Sequence, residues 1–259
     1  MELVARGLGY RYPGTSKDVL HDINLTIKPG TTFAIVGVNG GGKTTLVKAL
    51  MGLYDHQGSL FLNGHPMAAY DPVTVHRRTS CLFQDFCKYS FSLRENVGIG
   101  NVSKVEDGEA VSDAIERGGA RGVLGKVGME GKLNRSGALQ GLRAERASLS
   151  GGQWQKVALS RSFMRASEAD LVVFDEPSAS LDPRAEAQLF ERIHALSHQN
   201  GRRCTTIFIS HRYSTVKRAD QIAVVEDGTI VECGSHAELM EMEGRYAELY
   251  NLQRSGFDD

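Results

Sequence analysis

The run Gly37-Val38-Asn39-Gly40-Gly41-Gly42-Lys43-Thr44 fits the pattern G-x-x-x-x-G-K-[ST]. Glycines let a backbone curl so that successive N–H groups face one anion, and a helix that follows adds the positive end of its dipole. Lys43 then stands against the β- and γ-phosphates of a nucleotide, and the Thr44 hydroxyl is placed to ligate Mg²⁺. The plain alternative is a glycine-rich turn with a surface lysine, which needs no strand before it and no helix after it. A second run, Leu171-Val172-Val173-Phe174-Asp175-Glu176, is apolar and ends in two acids. At the C-terminal end of a strand, Asp175 suits Mg²⁺ held through water, and Glu176 suits the polarisation of an attacking water. Taken alone, two acids after a strand read as a helix cap or a loop. A third run, Leu149-Ser150-Gly151-Gly152-Gln153, puts a serine and two glycines ahead of a helical stretch with Trp154, Val157 and Ala158 on one face. It reads as a second anion-binding helix start, or as a glycine-containing N-cap. One nucleotide does not need two such phosphate sites from one chain.

The elements that must position these residues alternate between short β-branched runs and helical patterns, which predicts an α/β fold. Thr32 to Val36 is a buried strand running into the glycine cluster. Leu46, Leu50 and Leu53 give Lys43 to Leu53 one helical face. Gly58 to Leu62 ends in the turn pair Asn63-Gly64, and Leu171 to Phe174 suits the centre of a parallel sheet. Asp182-Pro183 opens a helix as N-cap and first residue, with Ala185, Leu189, Ile193 and Leu196 on its buried face. Thr205 to Ile209 and Ile222 to Val225 are further strands, and Asp227-Gly228 turns the second into Thr229 to Glu232. Ser235 and Glu238 form a capping box for a C-terminal helix. Residues 98 to 141 hold 11 of the 29 glycines and few large apolar residues, and read as a mainly helical insertion with irregular connections.

The 259 residues carry 30 Lys+Arg against 31 Asp+Glu, a net charge of −1, which excludes a strongly basic chain built to coat nucleic acid. With 41% apolar and 24% charged residues the chain reads as globular and soluble. No apolar run approaches the roughly 18 residues of a membrane span, and Met1 to Tyr12 lacks the apolar stretch of a secretory signal. Cys81, Cys87, Cys204 and Cys233 show no metal-binding spacing and read as reduced, partly buried thiols of an intracellular protein.

Together the motifs resemble the ATP-binding cassette (ABC) family over nearly the whole chain. Gly37 to Thr44 looks like its Walker A, Leu149 to Gln153 its signature motif and Leu171 to Glu176 its Walker B. Ser180-Leu181-Asp182 looks like the D-loop, and Ile209-Ser210-His211-Arg212 the switch-histidine segment. Gln84, in Leu82-Phe83-Gln84-Asp85, lies where the family has its Q-loop, and Tyr12 before Pro13 is placed to stack on adenine. Individually, a surface Gln84, a core His211 and a packed Tyr12 are the default readings; their order along the chain is the family's. Leu93 to Asn96, His211 to Val216, Glu226 to Glu232 and Tyr246 to Leu249 are similar to the nucleotide-binding domains of ABC exporters. In that group six membrane helices precede the domain, whereas 11 residues precede Tyr12, so the expectation is an excised or separately encoded domain. Val38 and Gly41 replace the family's common Pro and Ser, at places where the backbone makes the contact. Glu145 is one position off the spacing of the acidic residue expected before Leu149.

The resemblance implies an α/β, P-loop NTPase core of ABC type with an N-terminal antiparallel β element. Residues of roughly 1–84 and 166–259 would form the core, and roughly 85–165 an inserted helical subdomain. It implies ATP and Mg²⁺ as ligands, with Glu176, His211 and Lys43 catalytic. Nucleotide contacts would come from Tyr12, Gly37, Asn39, Gly40, Gly41, Gly42, Lys43, Thr44, Thr45, Gln84 and Asp182, and from Ser150, Gly151, Gly152 and Gln153 of a second copy. Thr44, Gln84 and Asp175 would hold the metal. The expected partners are a second nucleotide-binding domain, in an ATP-dependent homo- or heterodimer, and a transmembrane permease domain in the same or another chain, with no nucleic acid, at the cytoplasmic face of a membrane. A non-transport ABC ATPase and an ATP-dependent regulatory switch with negligible turnover stand as alternatives.

Overall fold

The computed structural model describes residues 1–134, 147–178, 181, 183–196 and 204–255. The expectations for Glu145, Ser180 and Asp182 lie outside the described residues.

The chain opens with two antiparallel strands, β1 (Leu3–Tyr10) and β2 (Leu20–Ile27), and continues into β3 (Thr32–Val36) and α1 (Lys43–Leu50). The sequence pattern carried α1 on to Leu53. Instead the chain leaves the helix at Met51, Gly52 adopts φ 68°, and Leu53 is exposed. A left-handed glycine just past a helix is a common stop, and Gly52 was the signal that the leucine spacing overrode. Next, β4 (Gln57–Leu62) turns through Asn63 (φ 49°) and Gly64 (φ 82°) into β5 (His65–Pro66), the conformation that favours Asn-Gly in hairpins. The order β2-β1-β4-β5 makes the antiparallel N-terminal sheet.

After α2 (Pro72–Arg77) and β6 (Thr79–Leu82), the chain runs through α3 (Leu93–Gly98), α4 (Gly108–Arg117) and α5 (Arg121–Val127). The short parallel pair β7 (Leu133–Asn134) and β8 (Ala147–Ser148) follows, and then α6 (Gly151–Ala166). The remaining elements are β9 (Leu171–Asp175), α7 (Pro183–Leu196), β10 (Thr205–Ile209), α8 (Tyr213–Val216), β11 (Gln221–Glu226), β12 (Thr229–Gly234), α9 (His236–Glu241) and α10 (Arg245–Ser255). The central sheet has the order β12-β11-β3-β10-β9-β6, parallel except for β12, which turns back at Asp227-Gly228.

Alternation along the central strands sends side chains to two cores. Phe33, Ile35, Val173, Ile207 and Ile209 pack toward α1 and the N-terminal sheet. Ala34, Val36, Val172, Phe174 and Phe208 pack toward α6 and α7. Both faces are covered, which is why these strands read as continuous apolar runs. A third cluster joins Leu93, Val97, Val111, Ile115, Val123, Trp154 and Val157. Helix α6 serves two cores: Ala158 and Phe163 meet the sheet, while Trp154 and Val157 meet the helices α3 to α5.

Candidate nucleotide site

Because β3, β9, β10 and β6 run parallel, their C-terminal ends lie along one edge of the sheet, where open α/β sheets bind ligands. From that edge come the glycine loop after β3, Asp175 and Glu176 at the end of β9, His211 after β10 and Gln84 after β6. Tyr12, Asn39, Gly40, Gly42, Lys43, Thr44, Thr45, Gln84, Glu176 and His211 line a single cavity of about 520 Å³.

The glycine loop is shaped by backbone crowding. Gly37 has φ 137°, and a Cβ there would lie 2.0 Å from the Val225 carbonyl oxygen of β11. Gly42, at φ 98°, starts α1 without any side-chain cap, so the first turn's N–H groups face the cavity mouth with no side-chain acceptor. Lys43 is buried, and its Nζ donates to the carbonyl oxygens of Gly37 (3.0 Å) and Val38 (2.8 Å). Burial lowers its pKa, and the charges of Glu176 and Asp175 oppose the shift.

Beneath the loop, the Thr44 hydroxyl donates to Asp175 Oδ2 at 2.7 Å. Asp175 is 1% exposed and its Oδ1 has no hydrogen-bond partner. Burial raises its pKa; the Thr44 bond opposes this, and the neighbouring Glu176 charge adds to it. Glu176 takes a left-handed φ of 50°, a conformation that non-glycine residues seldom adopt. Its Oε1 lies 2.7 Å from His211 Nε2. An ionised carboxylate only accepts, so the Nε2–H form of the ring is the donor in this pair.

At the other end of the cavity, Tyr10 and Tyr54 stack at 4.5 Å, and Tyr12 meets both edge-on, at 5.0 and 5.8 Å. The Tyr12 hydroxyl is 3.1 Å from Thr45 Oγ1. The arrangement holds an aromatic ring at the cavity rim, and burial together with the Tyr12 contact pushes the Tyr54 hydroxyl up to about 12.

Ser150, Gly151, Gly152 and Gln153 are not among the residues lining this cavity. They start α6 with a closed capping box: Ser150 Oγ accepts the Gln153 N–H (3.3 Å), and Gln153 Oε1 accepts the Ser150 N–H (2.9 Å). Gly37, Gly41 and Asp175 are likewise not among the lining residues.

Sequence reasoning missed Glu186. It is 4% exposed, accepts from Ser178 Oγ at 2.7 Å and pairs with the Arg212 guanidinium. It thus ties the segment after β9 to the segment carrying His211. Its position three residues before Leu189, on the apolar stripe of α7, was the available signal: a charge among buried positions needs a partner.

A family model described as ABC transporter matches residues 20–179. Among curated proteins, the subtilin transport ATP-binding protein SpaT of Bacillus subtilis is 37% identical over 239 residues, covering 92% of this chain and 37% of the relative. The nisin transport ATP-binding protein NisT of Lactococcus lactis subsp. lactis is 36% identical, covering 94% and 39%. An ATP-dependent lipid A-core flippase of Hahella chejuensis (strain KCTC 2396) is 34% identical, covering 98% and 41%. The chain spans about two fifths of the length of these relatives. In shape it is similar to a bacterial Atm1-family ABC exporter solved with ATP bound, with a TM-score of 0.83, 26% identity, and coverage of 97% of this chain and 42% of that one.

Proposed function

The chain belongs to the ABC transporter family, and on that premise we propose that it hydrolyses ATP to drive an exporter. The observation that carries this reading is the convergence of Lys43, Thr44, Gln84, Glu176 and His211 on one cavity. Adenine stacks on Tyr12, the phosphates lie against Asn39, Gly40, Gly41, Gly42 and Thr45, and Lys43 leaves its carbonyl partners for the β- and γ-phosphates.

A divalent cation suits this donor set. Thr44 would offer a hydroxyl, Asp175 an orphaned buried oxygen and Gln84 an amide oxygen, and the substrate phosphates and water would supply the remaining oxygens. No group of three or more His, Cys, Asp or Glu that could hold a metal ion occurs among the described residues. When bound, Mg²⁺ neutralises charge on the phosphates.

Glu176 orients a water in line with the γ-phosphorus. The new P–O bond forms as the bond to the β,γ-bridging oxygen breaks, ADP leaves with that electron pair, and the water's proton passes by way of Glu176 to solvent. His211, held at Glu176, faces the γ-phosphate. The rest of the chemistry is positioning and charge neutralisation.

The closed capping box at Ser150, away from the cavity, supports a head-to-tail dimer in which the Ser150 to Gln153 segment of one copy meets the phosphates held by the other. Asp182 would join that interface. The separate apolar core of α3 to α5 supports a helical subdomain at roughly 85–165 within a core of 1–84 and 166–259. No helix among the described residues is long and apolar enough to cross a membrane. The likeness to ABC exporters supports a transmembrane permease domain, in the same or another chain, that holds it at the cytoplasmic face of a membrane. The test is Mg²⁺-dependent phosphate release from ATP by the 259-residue chain. Nucleotide binding without release would favour the regulatory switch instead.

A further inference from the structure

His211 sits on a short connection between the end of β10 and the start of α8, whose N-cap, Arg212, makes no side-chain cap hydrogen bond. Such a junction leaves backbone groups beyond the reach of sheet ladder and helix alike. Two of them, the His211 carbonyl and the Tyr213 N–H, meet the same side chain. Gln253 Nε2 donates to the His211 oxygen at 2.6 Å, and Gln253 Oε1 accepts the Tyr213 N–H at 2.7 Å. A primary amide carries a donor and an acceptor side by side, so both arms are satisfied in only one of its two orientations.

We propose that Gln253 is a positioning residue for the hydrolysis site, acting through His211. By gripping the backbone on both sides of Arg212 it sets the direction in which the His211 ring leaves the chain. The ring then meets Glu176 at 2.7 Å and faces the cavity. Other bonds hold this segment at Arg212: its N–H donates to Ser210 Oγ (3.0 Å), its carbonyl accepts from Thr215 Oγ1 (2.7 Å), and its guanidinium pairs with Glu186. Among the described residues, Gln253 is the side chain that bonds the backbone of His211 itself. Gln253 lies on α10, which is anchored by fully buried Tyr246 and by Glu232, whose carboxylate accepts the Tyr246 N–H at 2.9 Å. The seating of the C-terminal helix is thereby transmitted to the residue that faces the γ-phosphate.

This inference rests on the hydrolysis reading, and its test separates the two. Gln253→Met keeps the length and removes both arms. It should lower kcat roughly 5- to 30-fold, the worth of two lost hydrogen bonds, with the Kd for ATP within about a factor of two of wild type. The His211 ring resonance, assigned by its loss in His211→Gln, should shift in the NMR spectrum of Gln253→Met without nucleotide. Should that variant fold poorly, Gln253→Glu keeps the Tyr213 arm, loses the donor to His211, and should show the same two changes. An unchanged kcat, or an unmoved His211 resonance, overturns the proposal. So does a parallel loss of ATP affinity and kcat, which marks general damage. If the wild-type chain releases no phosphate, the hydrolysis reading fails, and the resonance alone decides whether Gln253 positions His211.

Discussion

Two glycine-marked helix starts, α1 after Gly42 and α6 after Ser150, look alike in sequence and differ in structure. At α1 no side chain caps the helix, a buried lysine is parked on the loop's own carbonyls, and a buried carboxylate has an oxygen without a partner. At α6 the serine and glutamine close on each other and complete the cap. The first start is unfinished without a ligand. The second is finished on its own, and its hydroxyl still has a proton to donate to an incoming oxygen. Such a contrast fits one primary phosphate site and one auxiliary surface that is stable while it waits.

The largest expected effect separates chemistry from either start. Glu176→Gln should leave ATP affinity intact and cut phosphate release by roughly 10²- to 10⁴-fold, the usual worth of a positioned acid–base group. Turnover near wild type would remove Glu176 from the mechanism. Lys43→Ala acts on the unfinished start and should weaken binding of a fluorescent ATP analogue roughly 10- to 100-fold, as loss of a charge-assisted contact does. Unchanged affinity would mean that the glycine loop is no nucleotide site and that the two helix starts do not differ in kind.

Ser150→Ala acts on the finished start. It should cost about 1 kcal/mol as a lost N-cap, lowering Tm by about 2–4 °C, while the dilute chain keeps its ATP affinity. A drop in affinity in the dilute chain would place both starts at one nucleotide within one copy. The smallest effect is Asp175→Asn, which should raise the Tm of the nucleotide-free chain at neutral pH by about 1–2 °C. Burial holds the folded-state pKa of Asp175 above its unfolded value, so the folded chain binds that proton more tightly. Wild-type stability is therefore lost as pH rises through the folded-state value. The advantage of Asp175→Asn should shrink as pH falls below the ordinary carboxylate range, and thermal melts across that range check the sign.

Much of this was legible in the residues. The strands Thr32–Val36 and Thr205–Ile209, the Asp227-Gly228 turn and the Ser235–Glu238 capping box stand where the pattern put them, because each is a local decision of burial or turn chemistry. Contacts that depend on which strands become neighbours were not legible. The Tyr10–Tyr54 stack pairs a residue of β1 with one on the connection between α1 and β4, Glu186 meets Arg212 across 26 positions, and Gln253 reaches His211 across 42. None of these pairs has a local spacing to reveal it. Leu53 failed for a different reason: a helical period was extended past Gly52, whose backbone freedom ends the helix.

The hairpin β11–β12 contributes none of the side chains that line the cavity, yet the glycine loop is built against it. Gly37 packs on the Val225 carbonyl, Gly41 accepts from the Gly228 N–H at 3.1 Å, and the Gly228 carbonyl accepts from His21 of β2 at 3.1 Å. A segment synthesised well after the loop therefore forms its back wall. A ribosome-bound chain that has emerged only through His211 would already carry Gly37 to Thr44, Leu149 to Gln153, Leu171 to Glu176 and His211, but not the surface on which the loop takes shape. Nucleotide cannot template the loop until the hairpin arrives, and ATP-dependent protease protection of stalled nascent chains should begin only once Gly234 has cleared the exit tunnel.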